Sequence, residues 1–159
     1  MPPLLEAYNY GGFWGFAAAS AMLGTLGVFA LGGATTTTNV YTYSGNTVVA
    51  GTALTANLGY GAAAGTSTLG VFAIDNTTAT TTNVYTYAGN TVVAGTALTA
   101  NLSAGAAAGT STLGVFAVGN NTTTTNVYTY SGNTVVAGTA LTATLNEGAA
   151  AGNYNGGLA

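Results

Sequence analysis

Three near-copies of one segment dominate this sequence. NVYTYSGNTVVAGTALTA begins at Asn39, recurs at Asn83 with Ala88 in place of serine, and recurs again at Asn126. TLGVFA begins at Thr25 and returns at Thr68 and Thr112, so the period is 43 to 44 residues. Alanine triplets at residues 62–64, 106–108 and 149–151 keep the same phase, and a further one stands at residues 17–19. A period of this length marks small supersecondary units, none able to bury an apolar face alone. Any fold must therefore set three equivalent units either about a pseudo-threefold axis or in a string.

The residues of each unit predict an all-β fold. Asn-Val-Tyr-Thr-Tyr at residues 39–43 is β-branched and aromatic, and forms strand a. Ser44, Gly45 and Asn46 break it with a hairpin turn in which glycine is free to take positive φ. Thr-Val-Val-Ala at residues 47–50 resumes as strand b. Leu54, Ala56 and Leu58 alternate with Ala53, Thr55 and Asn57, which predicts a half-buried strand c. A Gly/Ala loop follows. Leu-Gly-Val-Phe-Ala at residues 69–73 is apolar on both faces, so this strand d requires cover on both sides. We therefore expect Phe29, Phe72 and Phe116 to be buried.

The order of these four strands is permuted along the chain: d, abc-d, abc-d, abc. The first d, at residues 26–31, precedes any a, b or c. The last c, at residues 140–145, has no d after it in this sequence. Two closures follow: the first d completes the third repeat of its own chain, giving a pseudo-threefold unit, or that of another chain, giving a polymer by strand donation. The sequence divides accordingly into an N-terminal arm (1–24), β repeats at 25–67 and 68–111, and a third repeat with a tail at 112–159.

Composition removes most functional classes. The chain has no Lys, Arg, His or Cys, and Glu6, Asp75 and Glu147 are its only carboxylates. Without cations there is nothing to neutralise phosphates, which excludes nucleic acid as a partner, and attraction to anionic membranes fails likewise. Residues 11–33 are uncharged and long enough to span a bilayer, yet seven glycines among them argue against a membrane helix. A surface with a net charge of only −3 needs shielding by neighbouring subunits, glycans, or a layer of hydroxyls and amides.

Catalysis lacks its usual groups. No His or Lys stands ready to activate the many hydroxyls, and no Cys or His can ligate a transition metal. The three carboxylates fall at non-equivalent points of the repeat, so no glycosidase-like pair recurs, and they read as solvated loop groups. We expect no enzyme and no cofactor. Six tyrosines stand out instead: Tyr41 with Tyr43, Tyr85 with Tyr87, and Tyr128 with Tyr130. Alternation places each pair on one sheet face, where the rings either pack between subunits or stack on sugars. Asn76, Asn101, Asn120 and Asn121 match the N-glycosylation pattern, which matters only for an exported chain.

The succession of Asn-Thr-Val-Val-Ala-Gly-Thr-Ala-Leu-Thr at residues 46–55, Gly-Ala-Ala-Ala-Gly at 61–65 and Leu-Gly-Val-Phe-Ala at 69–73 resembles small β-rich head-decoration (capsid cement) proteins of tailed bacteriophages. The resemblance covers each repeat. It implies a non-enzymatic virion protein seated on a capsid, commonly as a trimer at threefold positions. Taken together, the sequence leads us to expect a structural subunit of a virion surface or an extracellular filament. Its partners would be copies of itself and a capsid or filament scaffold, with Leu26, Val28, Phe29, Phe72 and Phe116 as assembly contacts. The alternative is a carbohydrate-binding module built on the paired tyrosines.

Overall fold

The structure, a computed structural model, describes residues 25–75 and 79–152. Every regular element in them is a strand. The first three are β1 (Leu26–Ala30), β2 (Thr38–Thr42) and β3 (Thr47–Ala50). A second set comprises β4 (Tyr60–Gly65), β5 (Leu69–Asp75), β6 (Thr82–Thr86) and β7 (Thr91–Ala94). The third comprises β8 (Ala106–Gly109), β9 (Leu113–Ala117), β10 (Thr125–Thr129) and β11 (Thr134–Ala137). Each set is one antiparallel meander with neighbours paired in chain order. The fold is thus all-β and repeated. The sheets break at residues 51–59 and 95–105, so the β4–β5 hairpin straddles the repeat boundary expected at residue 67.

Two strand expectations need correction. The Gly/Ala segment is not a loop: it forms β4 and β8, the outer strands of the second and third sheets. Conversely, the residues assigned to strand c form an irregular linker. Its amides bond back to the preceding Thr-rich run, Leu54 N to Thr36 O at 2.8 Å and Leu58 N to Thr35 O at 2.7 Å. That pinning turns the linker, and the alternation of Leu54 and Leu58 reflects two inward leucines on a turn, not a pleat.

The a–b hairpin is as expected, but its geometry differs in one residue. Asn46, Asn90 and Asn133 adopt φ of 48°, 46° and 48°, and Gly45 does not take positive φ. The turn is a four-residue loop with its last residue in the left-handed region, which asparagine tolerates better than other non-glycine residues. In the other two hairpins a bond of 3.3 Å runs from the asparagine amide back to Tyr87 O or Tyr130 O.

A single antiparallel sheet has no interior, so the core must lie between sheets. Leu54, Leu58, Phe72, Ile74 and Tyr85 form one buried cluster at the junction of the first and second units. Leu98, Leu102, Phe116, Val118, Tyr128 and Val71 belong to the equivalent cluster between the second and third. In the middle sheet β5 is buried on both faces, as expected of a strand with two apolar faces, whereas the equivalent β9 is covered on one face only, with Leu113 and Val115 exposed on the other. The first d-strand does not close a ring with the third unit: β1 pairs with β2 of its own sheet in the register Phe29↔Asn39. The units form an open row.

Among the described residues no helix is long and apolar enough to cross a membrane. Of residues 11–33, the described part contains β1; the rest of that stretch, the N-terminal arm and Glu6 lie outside the described residues.

Candidate assembly interface

The polar part of the contact between successive units is built from four residues of the repeat. Thr52 and Thr96 are first held in place by their own units: Thr38 Oγ1 donates to Thr52 O at 2.8 Å, and Thr82 Oγ1 does the same to Thr96 O at 2.8 Å. The backbone amide of Thr52 then donates to Asn90 Oδ1 of the next unit at 3.0 Å, and that of Thr96 to Asn133 Oδ1 at 3.0 Å. The Thr52 and Thr96 hydroxyls donate to the carbonyls of the same two asparagines. The left-handed turn residue thus presents both its side chain and its carbonyl to the preceding unit.

A second asparagine completes the contact. Asn83 Oδ1 accepts from the amide of Thr55 at 2.7 Å and its Nδ2 donates to Thr82 O at 2.7 Å. Asn126 Oδ1 accepts from the amide of Thr99 at 2.5 Å, one unit further on. Both side chains are fully buried. A buried amide left without partners costs about 1–3 kcal/mol, so these bonds hold the units in register. Among the described residues, Asn126 Nδ2 and the Tyr130 hydroxyl find no hydrogen-bond partner.

The aromatic residues sit on the same face. Phe72 meets Tyr85 edge-on with ring centroids 6.5 Å apart, and Tyr85 lies 6.2 Å from Tyr87. Phe116, Tyr128 and Tyr130 repeat the arrangement at 6.4 and 6.2 Å, and Phe29, Tyr41 and Tyr43 at 6.3 and 5.6 Å. Tyr85 and Tyr128 donate to the turn asparagines Asn90 and Asn133. The alternation reading holds: each tyrosine pair shares one sheet face. Burial raises the pKa of Tyr87, with Tyr43 adding to it, and pushes Tyr130 up to about 12, with Tyr87 adding to it.

Glycines in the repeat make this closeness possible. A Cβ on Gly95 would stand 2.4 Å from Thr82 Oγ1 and 2.6 Å from the Tyr128 hydroxyl of the next unit. The same construction on Gly51 meets Thr38 Oγ1 at 2.3 Å and the Tyr85 hydroxyl at 2.7 Å. At Gly138 the three nearest atoms all belong to its own unit.

The expected contacts separate by position in the row. Phe116 and Phe72 are buried, whereas Phe29 is 54 % exposed, which corrects the expectation that all three are covered. The cause is that a phenylalanine face is covered only by a preceding unit, and β1 belongs to the first sheet described. Leu26 and Val28 are half-buried beside it. Tyr85, Tyr128 and Tyr130 are buried and cannot act as a sugar platform; among the paired tyrosines only Tyr43 is exposed. Asp75 is buried at the end of β5, not a solvated loop group as expected, while Glu147 is exposed. Asn101, Asn120 and Asn121 are exposed, and Asn76 lies outside the described residues.

What sequence reasoning missed is the threonine half of the interface. Thr52, Thr55, Thr96 and Thr99 stand in the linkers, and their invariance across the three copies was the available signal. Among the described residues no cluster of three His, Cys, Asp or Glu could hold a metal ion. No protein-family model matches the chain, nor does any curated protein sequence.

Proposed function

We propose that this chain is a non-enzymatic structural subunit of an extended assembly, a virion surface or an extracellular filament, that works through sheet-to-sheet contacts. One observation carries the reading: the apolar core lies between units, so a unit at the end of the row leaves an apolar face without a neighbour, as at Phe29. Its outer surface supports the same reading. Val48, Val49, Val93 and Val136 on strands β3, β7 and β11 are all more than half exposed, with no charged side chain among them. Isolated soluble proteins seldom leave apolar edge strands bare without lysine to blunt them. The resemblance to phage head-decoration proteins points the same way at the level of role. The carbohydrate-binding alternative has weaker support, since it needs a row of exposed rings.

Electron microscopy of the purified chain, and of the particle from which it comes, tests the proposal. The reading expects regular filaments or a decorated particle surface. A monodisperse monomer at every concentration, attached to no particle, would overturn it.

A further inference from the structure

The two ends of the row are the two halves of the internal interface. At one end, Phe29 is 54 % exposed although its equivalents Phe72 and Phe116 are 7 % and 0 % exposed. Asn39 and Tyr41 are half-buried where Asn83, Asn126, Tyr85 and Tyr128 are fully buried. At the other end, Leu141 is 39 % exposed, whereas its equivalents Leu54 and Leu98 are each 4 % exposed. Thr139 and Thr142 occupy the places of Thr52 and Thr55, and Thr139 O is held by Thr125 Oγ1 at 2.7 Å just as Thr52 O is held by Thr38 Oγ1 at 2.8 Å. One end thus offers the asparagines and aromatics, and the other the threonines and leucine that bind them at both internal junctions.

We infer that the partner of this face is a second copy of the same chain, docked end to end, with residues 148–152 of one copy added as a fourth strand beside β1 of the next. This rests on the structural-subunit reading above and specifies its contact. A groove runs beside β1. An apolar space of about 220 Å³ is walled by β1, β4 and β5, with Phe29, Ala30, Leu58, Ala63 and Phe72 among its lining. One unit further along, β4 itself occupies the corresponding position: it pairs with β5 and packs on β8 and β9. The groove is therefore shaped for a Gly-Ala-Ala-Ala-Gly strand.

Residues 148–152 carry that sequence and are held in the matching place. A Cβ on Gly148 would meet Leu145 Cδ1 at 2.6 Å, as on Gly61 it meets Leu58 Cδ1 at 2.5 Å and on Gly105 Leu102 Cδ1 at 2.7 Å. Gly152 lies against β8, with a constructed Cβ 2.9 Å from Gly109 O. Yet these residues are exposed and belong to no sheet. Docked in the register of the internal sheets, Ala149 would face Ala30, Ala150 Phe29, Ala151 Val28 and Gly152 Gly27, by analogy with Ala62↔Ala73 through Gly65↔Gly70.

The competing occupant is the chain's own aligned stretch, residues 18–22, which reads Ala-Ala-Ser-Ala-Met. It lacks both glycines. At Gly65 a Cβ would stand 2.4 Å from Leu69 O and at Gly109 2.6 Å from Leu113 O; at Gly105 it would stand 2.3 Å from Ala117 O. Backbone carbonyls cannot give way as side-chain tips do, so only the strand bearing both glycines fits without distortion.

Two substitutions on surface positions test the pairing. Phe29→Asp spoils one end and Leu141→Asp the other, and circular dichroism confirms that both variants fold. The wild-type chain should lengthen with concentration, and each variant should need more than about tenfold higher concentration to associate. An equimolar mixture of the two should stop at a one-to-one dimer, because each variant retains the end that the other has lost. In a chain with no native cysteine, the double variant Ala30→Cys, Ala149→Cys should oxidise to covalent ladders between chains. If the wild type assembles but the variants assemble equally and no ladder forms, the end-to-end contact is wrong while the structural-subunit reading stands. If the wild type stays monomeric and removal of residues 2–24 releases assembly, the chain's own arm is the occupant and the inference fails. A wild type that never assembles, with or without that arm, overturns both.

Discussion

Phenylalanine occupies the same place in all three repeats, so replacing each with alanine compares position alone. The structure gives the three residues different surroundings. Phe116 is fully buried against Tyr128, and Phe72 is 7 % exposed against Tyr85, while Phe29 is 54 % exposed. Deleting a fully buried phenylalanine ring costs about 3–5 kcal/mol through lost transfer energy and the cavity left behind. Full burial of such a side chain is worth about 1.5–3 kcal/mol, and Phe29 achieves roughly half of it with no cavity to leave, so Phe29→Ala should cost about 1 kcal/mol. The assay is urea unfolding followed by circular dichroism, at a protein concentration low enough that chains do not meet. The expected order of midpoints is wild type, then Phe29→Ala close below, with Phe72→Ala and Phe116→Ala far lower. Equal losses for all three would mean that the phenylalanine face of β1 is covered within one chain, and the open-row account would be wrong. At high concentration the account requires the reverse emphasis: Phe29→Ala should impair association more than it impairs folding.

Three further outcomes follow from the same contacts. Asn83→Ala removes the acceptor for the Thr55 amide inside a buried junction and should destabilise by about 1–3 kcal/mol, while Asn39→Ala should lie within about 0.5 kcal/mol of wild type by chemical denaturation. Gly119→Ala places a Cβ 2.0 Å from Ser103 O at a residue with φ of 71°, and should lower the thermal midpoint sharply in a melting experiment. The pKa of Tyr130 is held up to about 12 in the fold, so the unfolded chain loses this proton first as the solution becomes alkaline. Stability linked to Tyr130 should be intact below about pH 10 and fall as pH rises through about 12; replacement by Phe should remove this part of the slope, which unfolding curves across that range would show.

Much of this architecture is readable from residue order, and the parts that are not have definite causes. Strands a, b and d announce themselves through Val, Tyr, Thr and Phe, and the two apolar faces of residues 69–73 correctly demand cover on both sides. The Gly/Ala segments misled because Gly, and to a lesser degree Ala, are depleted in strands. Their smallness is what lets sheets approach: Ala64 Cβ would lie 3.1 Å from a Cβ built on Gly114 of the next sheet. Linker residues 53–58 misled in the opposite sense, since two inward leucines four apart satisfy a period of two without forming a ladder. Asp75 ends a strand that runs further inward than the Phe-Ala-Ile pattern alone indicates. The tyrosine pairing was legible from alternation, but not its burial, because that depends on Asn90 and Thr52 arriving from different units. Which face of which unit remains open could not be read at all: identical repeats have identical patterns, and only their place in the row separates Phe29 from Phe116.

The central claim, an open row whose ends complement each other, is tested most directly by the weight-average mass of the wild-type chain against concentration in sedimentation equilibrium. The interface contains no ion pair, so the curve should change little between low and high salt. The account predicts a mass that climbs past successive multiples of 15.4 kDa without a plateau. A mass fixed at 15.4 kDa, or one that saturates at a single small closed oligomer, would contradict it.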